Sequence, residues 1–389
     1  MEESDKQHGP GDATSKVHKI LGVEGDATDK TLPVSSGSYQ PIPKSSTAAA
    51  PDTDSDSDSD EEPTNVAYDY GTSEEWKDVN PVPLTAGSVM PIAFTPQFQM
   101  VFGYFRALLA TGELSARGLQ LCEDAARLNP ANYAVWMYRR KVLAHLAVDL
   151  TGELQYISRV IEKNQKNYQV WYHRQKIVEL LKDPSKEFDF TAKMLRKDAK
   201  NYHVWQYRQY ILRYFDIFDH NELEFCDGLI RADPFNNSAW MHRYYVLVEL
   251  PRACGRPSLL EGPALEREIQ YTVAQLMGQA HNESPWSYLR GILRDHWAEH
   301  FPTVQAICSD LYSQNIRSPY LLAFMIDMYD EDIAQGFQAT TDIQKGELLA
   351  RVKAICSDLA VKHDVVRKAY WNYLSQQLAK KYERFLPAV

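Results

Sequence analysis

The indoles Trp136, Trp171, Trp205, Trp240 and Trp286 recur at intervals of 35, 34, 35 and 46 residues, the last interval holding the Pro/Gly-rich insertion LPRACGRPSLLEGP. A period near 34 residues admits few folds. It is the length of a helical hairpin that cannot bury its apolar face alone and must stack on copies of itself. Two successive copies, KNYQVWYHRQKIVELL at 166–181 and KNYHVWQYRQYILRYF at 200–215, are closely alike. Four residues before each tryptophan stands an asparagine: Asn132, Asn167, Asn201, Asn236 and Asn282. Asparagine suits an N-cap, because its side-chain oxygen accepts an otherwise unpaired amide of the first turn. Counting back 14 residues from the last four of them gives Glu153, Glu187, Glu222 and Glu268, each followed by apolar residues one and three positions on. The unit reads as helix, short turn, Asn cap, helix. Its stack is expected to be an all-α, right-handed superhelical solenoid of helical hairpins.

A period-matched aromatic is what such a core needs, so the tryptophans are expected to interlock neighbouring hairpins. Arg139, Arg174, Arg208 and Arg243 follow three positions after the first four tryptophans and are expected to form ion pairs between hairpins, the recurring glutamates being one candidate partner, with phosphate binding the minority reading. Two positions before each tryptophan the copies diverge, to Ala134, Gln169, His203, Ser238 and Ser284. Cap and tryptophan stay constant while this position varies, so it is expected to line a rim at one mouth of the hairpins. Lys166, next to the cap Asn167, adds a cation near helix N-termini that already favour anions.

The charge is unevenly spread. Of 52 acidic and 42 basic residues, 14 and 5 lie in residues 1–65, leaving 38 and 37 for residues 66–389. The first segment is rich in Ser, Thr, Gly, Pro and Asp and ends in PDTDSDSDSDEEP, so it is expected to be a disordered acidic tail preceding the superhelix of 66–389. Ser55, Ser57 and Ser59 in that run suit an acidophilic kinase, though a solubilising role is the plainer reading. A neutral body and an acidic tail leave no basic footprint for nucleic acid. No apolar run approaches the roughly 20 residues that cross a bilayer, and no signal sequence is evident, so a cytoplasmic protein is expected. Five dispersed cysteines without a CxxC pair read as reduced thiols.

The segments NYQVWYHR, DAKNYHVWQYRQ, NNSAWMHRY, LEREIQYT with HNESPWSYLRGIL, SPYLLAFMIDMY and HDVVRKAYW occur in that order and, with EEWKDVNPVPL at 74–84, span much of the chain. Together they resemble the alpha subunit shared by protein farnesyltransferase and protein geranylgeranyltransferase type I. The resemblance implies tetratricopeptide-like prenyltransferase repeats wrapped around a beta subunit as an obligate heterodimer. It implies transfer of a farnesyl or geranylgeranyl group from its diphosphate to the cysteine of C-terminal CaaX motifs. Zn2+ is expected in the beta subunit, none in this chain, and Mg2+ is expected for farnesyl transfer. By the same resemblance Lys166 approaches the prenyl diphosphate and is the catalytic residue, Tyr168 lies beside it, and Gln169 bonds the carboxylate of the acceptor peptide. Asn201, Tyr202 and His203 border the same pocket. A Rab geranylgeranyltransferase alpha subunit would share the hairpins, but the paired NYQVW and NYHVW motifs weigh against it. A non-catalytic tetratricopeptide-like scaffold would have no reason to cluster Lys166, Gln169 and His203.

Deleting residues 1–60 removes charge but no repeat. Heterodimer formation and kcat/KM on a short CaaX peptide are expected to change less than about threefold; a tenfold loss would place the tail in the catalytic body.

Overall fold

Every asparagine marked by the repeat caps a helix. In the computed structural model, which describes residues 68–84, 92–218 and 221–385, the cap Oδ1 accepts the amide two residues on, at 2.9 to 3.1 Å, in all five hairpins. The acidic segment 1–65 lies outside the described residues. Among the described residues the regular structure is helical throughout, and no helix is long and apolar enough to cross a membrane. The chain divides into two compact units between Asp183 and Pro184, and each is described by itself.

The first unit opens with α1 (Pro96–Thr111), capped by Thr95 and stopped by the left-handed Gly112. Two hairpins follow: α2 (Ala116–Leu128) with α3 (Tyr133–Leu146), then α4 (Leu150–Lys163) with α5 (Tyr168–Leu181). Residues 68–84 pack across the start of this unit. Tyr70 and Trp76 are buried and meet the Tyr104 ring of α1. Arg117 of α2 holds both oxygens of Asp78, at 2.7 and 2.8 Å, while lying over the Trp76 ring.

The second unit contains α6 (Glu187–Lys197) with α7 (Tyr202–Tyr214), α8 (Asn221–Ala232) with α9 (Asn237–Tyr244), and α10 (Pro263–Gly278) with α11 (Glu283–Leu293). It closes with α12 (Trp297–Ser313), α13 (Pro319–Gln335), α14 (Asp342–Asp358) and α15 (Lys368–Lys381). Their apolar faces form one large core with α10 and α11.

Buried carboxylates join hairpin to hairpin. Glu153 accepts Arg139 Nε and Nη2 at 2.7 and 2.6 Å, and His173 Nε2 at 2.7 Å. Glu222 receives Arg208 at 2.9 and 2.5 Å and His242 at 2.8 Å. Glu268 receives Arg243 at 2.7 and 2.6 Å and the Tyr288 hydroxyl at 2.6 Å. In each case the arginine comes from the preceding hairpin. Its remaining Nη1 donates to a carbonyl of its own hairpin, at Leu119, Phe188 or Leu223. Its guanidinium also lies 4.0 to 4.2 Å from an aromatic ring centroid of the next hairpin, Tyr156, Phe225 or Tyr271. The expected pairing of arginine with the recurring glutamate is therefore present at these three junctions.

The tryptophans interlock as expected. Trp136 meets His173, Trp205 meets His242, and Trp240 meets Tyr288, with ring centroids 4.8 to 5.2 Å apart. The ends of the series are adapted. In the first hairpin Gly118 occupies the glutamate position, and a Cβ there would stand 2.5 Å from the Tyr138 hydroxyl, which donates instead to the Glu113 carbonyl. In the fifth, Leu289 replaces arginine and is buried, while Arg290 pairs with Asp327 of α13.

One proline accounts for the path of the insertion. Pro251 has no amide to offer the carbonyl four residues back and its ring crowds that carbonyl. The helix widens to a π-turn over Tyr245–Glu249 before continuing as Leu250–Ala253. The released Leu247 carbonyl accepts the Leu259 amide at 2.9 Å. Arg256 then lies over Phe218 and pairs with Asp216, pinning the insertion beside the end of α7.

Burial would raise the Glu222 carboxyl, but bonds from His242 and Arg208 outweigh it and hold the pKa at about 2. Removing this carboxylate strands a buried guanidinium, so Glu222→Ala is expected to destabilise the fold by about 3 to 5 kcal/mol, as read by denaturant unfolding. Burial lowers the pKa of His242 below its ordinary 6.5, opposed by Glu222. The folded chain therefore takes up this proton later than the unfolded chain, and the stability present above pH 6.5 is lost as pH falls. His242→Tyr, copying Tyr207 and Tyr288 at the equivalent positions, is expected to flatten the decline in melting temperature between about pH 7 and 5; an unchanged slope would exclude His242 as its source.

Candidate functional site

The turn joining α4 to α5 carries three of the expected site residues. Asn164 ends α4: its amide bonds the Ile161 carbonyl at 2.9 Å and its side chain the Val160 carbonyl at 3.0 Å. The Asn167 amide returns to the Asn164 carbonyl at 3.1 Å, closing the turn. The Trp171 indole then reaches back to donate to the Gln165 carbonyl at 2.8 Å. Lys166 is exposed between these fastenings. Tyr168, first residue of α5, is 64% exposed, and Gln169 beside it is half-buried. The residues Glu162 to Asn167 line a shallow depression of about 450 Å³. A lysine and the positive end of a 14-residue helix thus stand on one short stretch, an arrangement suited to an anionic ligand.

In the second unit the equivalent turn leads into α7. Asn201 is buried and bonds the amides of His203 and Val204. Tyr202 is exposed, and its ring stands edge-on to the half-buried His203, with centroids 5.7 Å apart. Lys166, Tyr168 and Gln169 thus share one turn, and Asn201, Tyr202 and His203 share another in the other unit.

The indole fastening is general. Trp136, Trp205, Trp240 and Trp286 donate at 2.8 to 3.1 Å to the carbonyls of Pro130, Ala199, Pro234 and Ala280, each six residues earlier. The cap asparagines add a second function that their spacing did not reveal. Asn236 Nδ2 donates to the Ala199 carbonyl at 3.4 Å and Asn282 Nδ2 to the Pro234 carbonyl at 2.7 Å, so each clasps the previous turn. Each turn presents one residue between carbonyl and cap: Ala131, Lys166, Lys200, Phe235 and His281. Lys200 was not singled out by the sequence; its repeat position matches Lys166, but its ammonium donates to Asp233 of the following turn at 3.1 Å. At the varying position Ala134, Gln169, His203 and Ser238 are half-buried, whereas Ser284 is buried.

Other chemistry is sparse. Burial pushes the thiols of Cys122 and Cys308 up to about 12, which leaves them protonated and unreactive at neutral pH. Among the described residues no group of three or more His, Cys, Asp or Glu side chains is placed to hold a metal ion. A second cleft, about 790 Å³, lies between α11, α13 and α15, where Trp286, Arg290, Asp327 and Tyr370 are among its walls. None of the expected site residues borders it.

Comparison with known proteins follows the hairpins. The protein prenyltransferase alpha subunit repeat is recognised at residues 115–146, 150–181, 184–215 and 219–250. The chain is 37% identical over 324 residues to the protein farnesyltransferase/geranylgeranyltransferase type-1 subunit alpha of Solanum lycopersicum, covering 80% of this chain and 92% of the relative. It is 35% identical over 316 residues to the protein of that name from Pisum sativum, covering 78% and 93%. The structure of Candida albicans protein geranylgeranyltransferase-I complexed with GGPP superposes with a TM-score of 0.68 at 26% identity, covering 81% of this chain and all of that one.

Proposed function

The chain belongs to the family of protein farnesyltransferase/geranylgeranyltransferase type-1 alpha subunits, and from that membership we propose that it acts with a beta subunit as a cytoplasmic protein prenyltransferase. The heterodimer transfers a farnesyl or geranylgeranyl group from its diphosphate to the cysteine of C-terminal CaaX sequences. The observation that carries the reading is the α4–α5 turn, which holds Lys166 by two backbone fastenings beside the N-terminus of α5.

The cysteine sulfur forms a bond to C1 of the prenyl group as the C1–O bond breaks, and the electron pair leaves with the diphosphate. Negative charge grows on that leaving group, so a positioned ammonium stabilises the transition state more than the bound substrate. Lys166 takes this role, and Tyr168 lines the approach beside it. Gln169, one helical position further, bonds the acceptor's terminal carboxylate through its amide. Asn201, Tyr202 and His203 take the substrate-binding role given by the resemblance, with Asn201 holding the helix start that presents the two rings. The Zn2+ of the reaction belongs, by the resemblance, to the beta subunit. Mg2+ accompanies farnesyl transfer.

Two substitutions in the purified heterodimer separate these roles. Lys166→Ala is expected to slow single-turnover transfer by about 10² to 10³, with much less effect on binding of the prenyl diphosphate. Gln169→Ala is expected to raise KM for the peptide more than it lowers the chemical rate. A chemical rate for Lys166→Ala within about threefold of the parent would show that the lysine is an ordinary solvated side chain.

A further inference from the structure

We propose that Trp171 is a positioning residue for Lys166: its indole N–H, acting through the Gln165 carbonyl, fixes the backbone from which the lysine reaches the departing diphosphate. The inference rests on the role proposed above for Lys166.

The backbone freedom of a residue resides in the two dihedrals between its flanking peptide planes, because the planes themselves are rigid. On the N-terminal side of Lys166, the Gln165–Lys166 plane is held at its carbonyl by Trp171 Nε1 at 2.8 Å. On the other side, the Lys166–Asn167 plane is held at its amide by the Asn164 carbonyl at 3.1 Å. Asn164 is itself fastened to α4 twice, through its amide and its side chain. Trp171 is only 4% exposed and sits in the core face of α5, so its donor does not move with solvent. Both planes flanking Lys166 are thereby referred to packed helices, one to each helix of the hairpin. The exposed lysine side chain then starts from a defined Cα–Cβ direction. Placement of this kind matters for catalysis, since displacing a reacting group by about 1 Å can cost about 10²-fold in rate.

The repeat supplies internal controls. Trp136 and Trp240 make the same bond, at 2.8 and 3.1 Å, to Pro130 and Pro234. The residues their turns present are Ala131 and Phe235, which carry no charge. Losing the N–H should therefore cost similar stability in all three hairpins but affect the chemical step in one.

The test is single-turnover prenyl transfer by the full-length chain purified with its beta subunit, comparing Trp171→Phe with Trp136→Phe and Trp240→Phe. A second variant replaces Trp171 by 3-benzothienylalanine, which keeps the bicyclic shape and removes only the donor. Both Trp171 variants are expected to slow the chemical step about tenfold, with prenyl diphosphate affinity held within about threefold; the two controls are expected to stay within about twofold at comparable loss of melting temperature. In a Lys166→Ala background, Trp171→Phe is expected to slow the step by less than about twofold more, because the group it positions is gone. Equal effects of all three Phe variants, or full additivity with Lys166→Ala, would overturn the inference while leaving the role of Lys166 intact. If Lys166→Ala alone leaves the rate unchanged, both the role and the inference fall.

Discussion

A carboxylate inside a helical array has to be answered by donors, because stripping it of water costs several kcal/mol that only well-placed hydrogen bonds and opposite charge offset. Glu153, Glu222 and Glu268 meet that demand with a bidentate arginine from one hairpin and a His or Tyr from their own. Each guanidinium spends its third nitrogen on a carbonyl of its own hairpin and its flat face on an aromatic of the next. One planar cation therefore joins two hairpins through three different contacts. Lysine, with a compact ammonium and no flat face, could not replace it. The end hairpins confirm what the network is for: Gly118 removes the carboxylate where no earlier arginine could answer it, and Leu289 removes the arginine where the repeat gives way to other helices.

A scaffold fastened in this way frees its turns to vary. Five indoles hold five turns by the same bond, and five asparagines start the following helices in the same geometry. Between these fixed points the presented residue can be alanine, lysine, phenylalanine or histidine without changing the hairpin. Variation is confined to the presented residue, and the backbone that presents it is fixed by the repetition around it. At the position of Lys200 the turn is also tied forward, through the ion pair of its ammonium with Asp233.

Legibility tracked the range of the interaction. The asparagine caps were readable because an N-cap bond spans two residues and needs no tertiary information. Tryptophan burial was readable because its period matches the hairpin. The arginine and glutamate were paired in kind, but His173, His242 and Tyr288 were not seen as the remaining donors, since each resembles any other core residue on a helix face. The indole-to-carbonyl bonds could not be read at all, because their acceptors are backbone atoms with no identity in the sequence. In the insertion, the relation between Pro251 and the Leu247 carbonyl was present in the spacing, but not that the Leu259 amide would take the vacated place.

By itself, the sequence determined the hairpin unit, its period, its caps, the tryptophan interlock and the position of Lys166 at a helix start. These follow from bonds a few residues long and from an apolar periodicity that permits only one way of stacking. Tertiary structure decided which donors surround each carboxylate, which carbonyl each indole seizes, and that Ser284 is covered while Gln169 and His203 stay half-open to solvent. Those outcomes depend on which faces of successive hairpins meet and what later helices cover. No spacing along the chain encodes that, because a buried donor is chosen by proximity in space and by the cost of leaving a polar group unpaired.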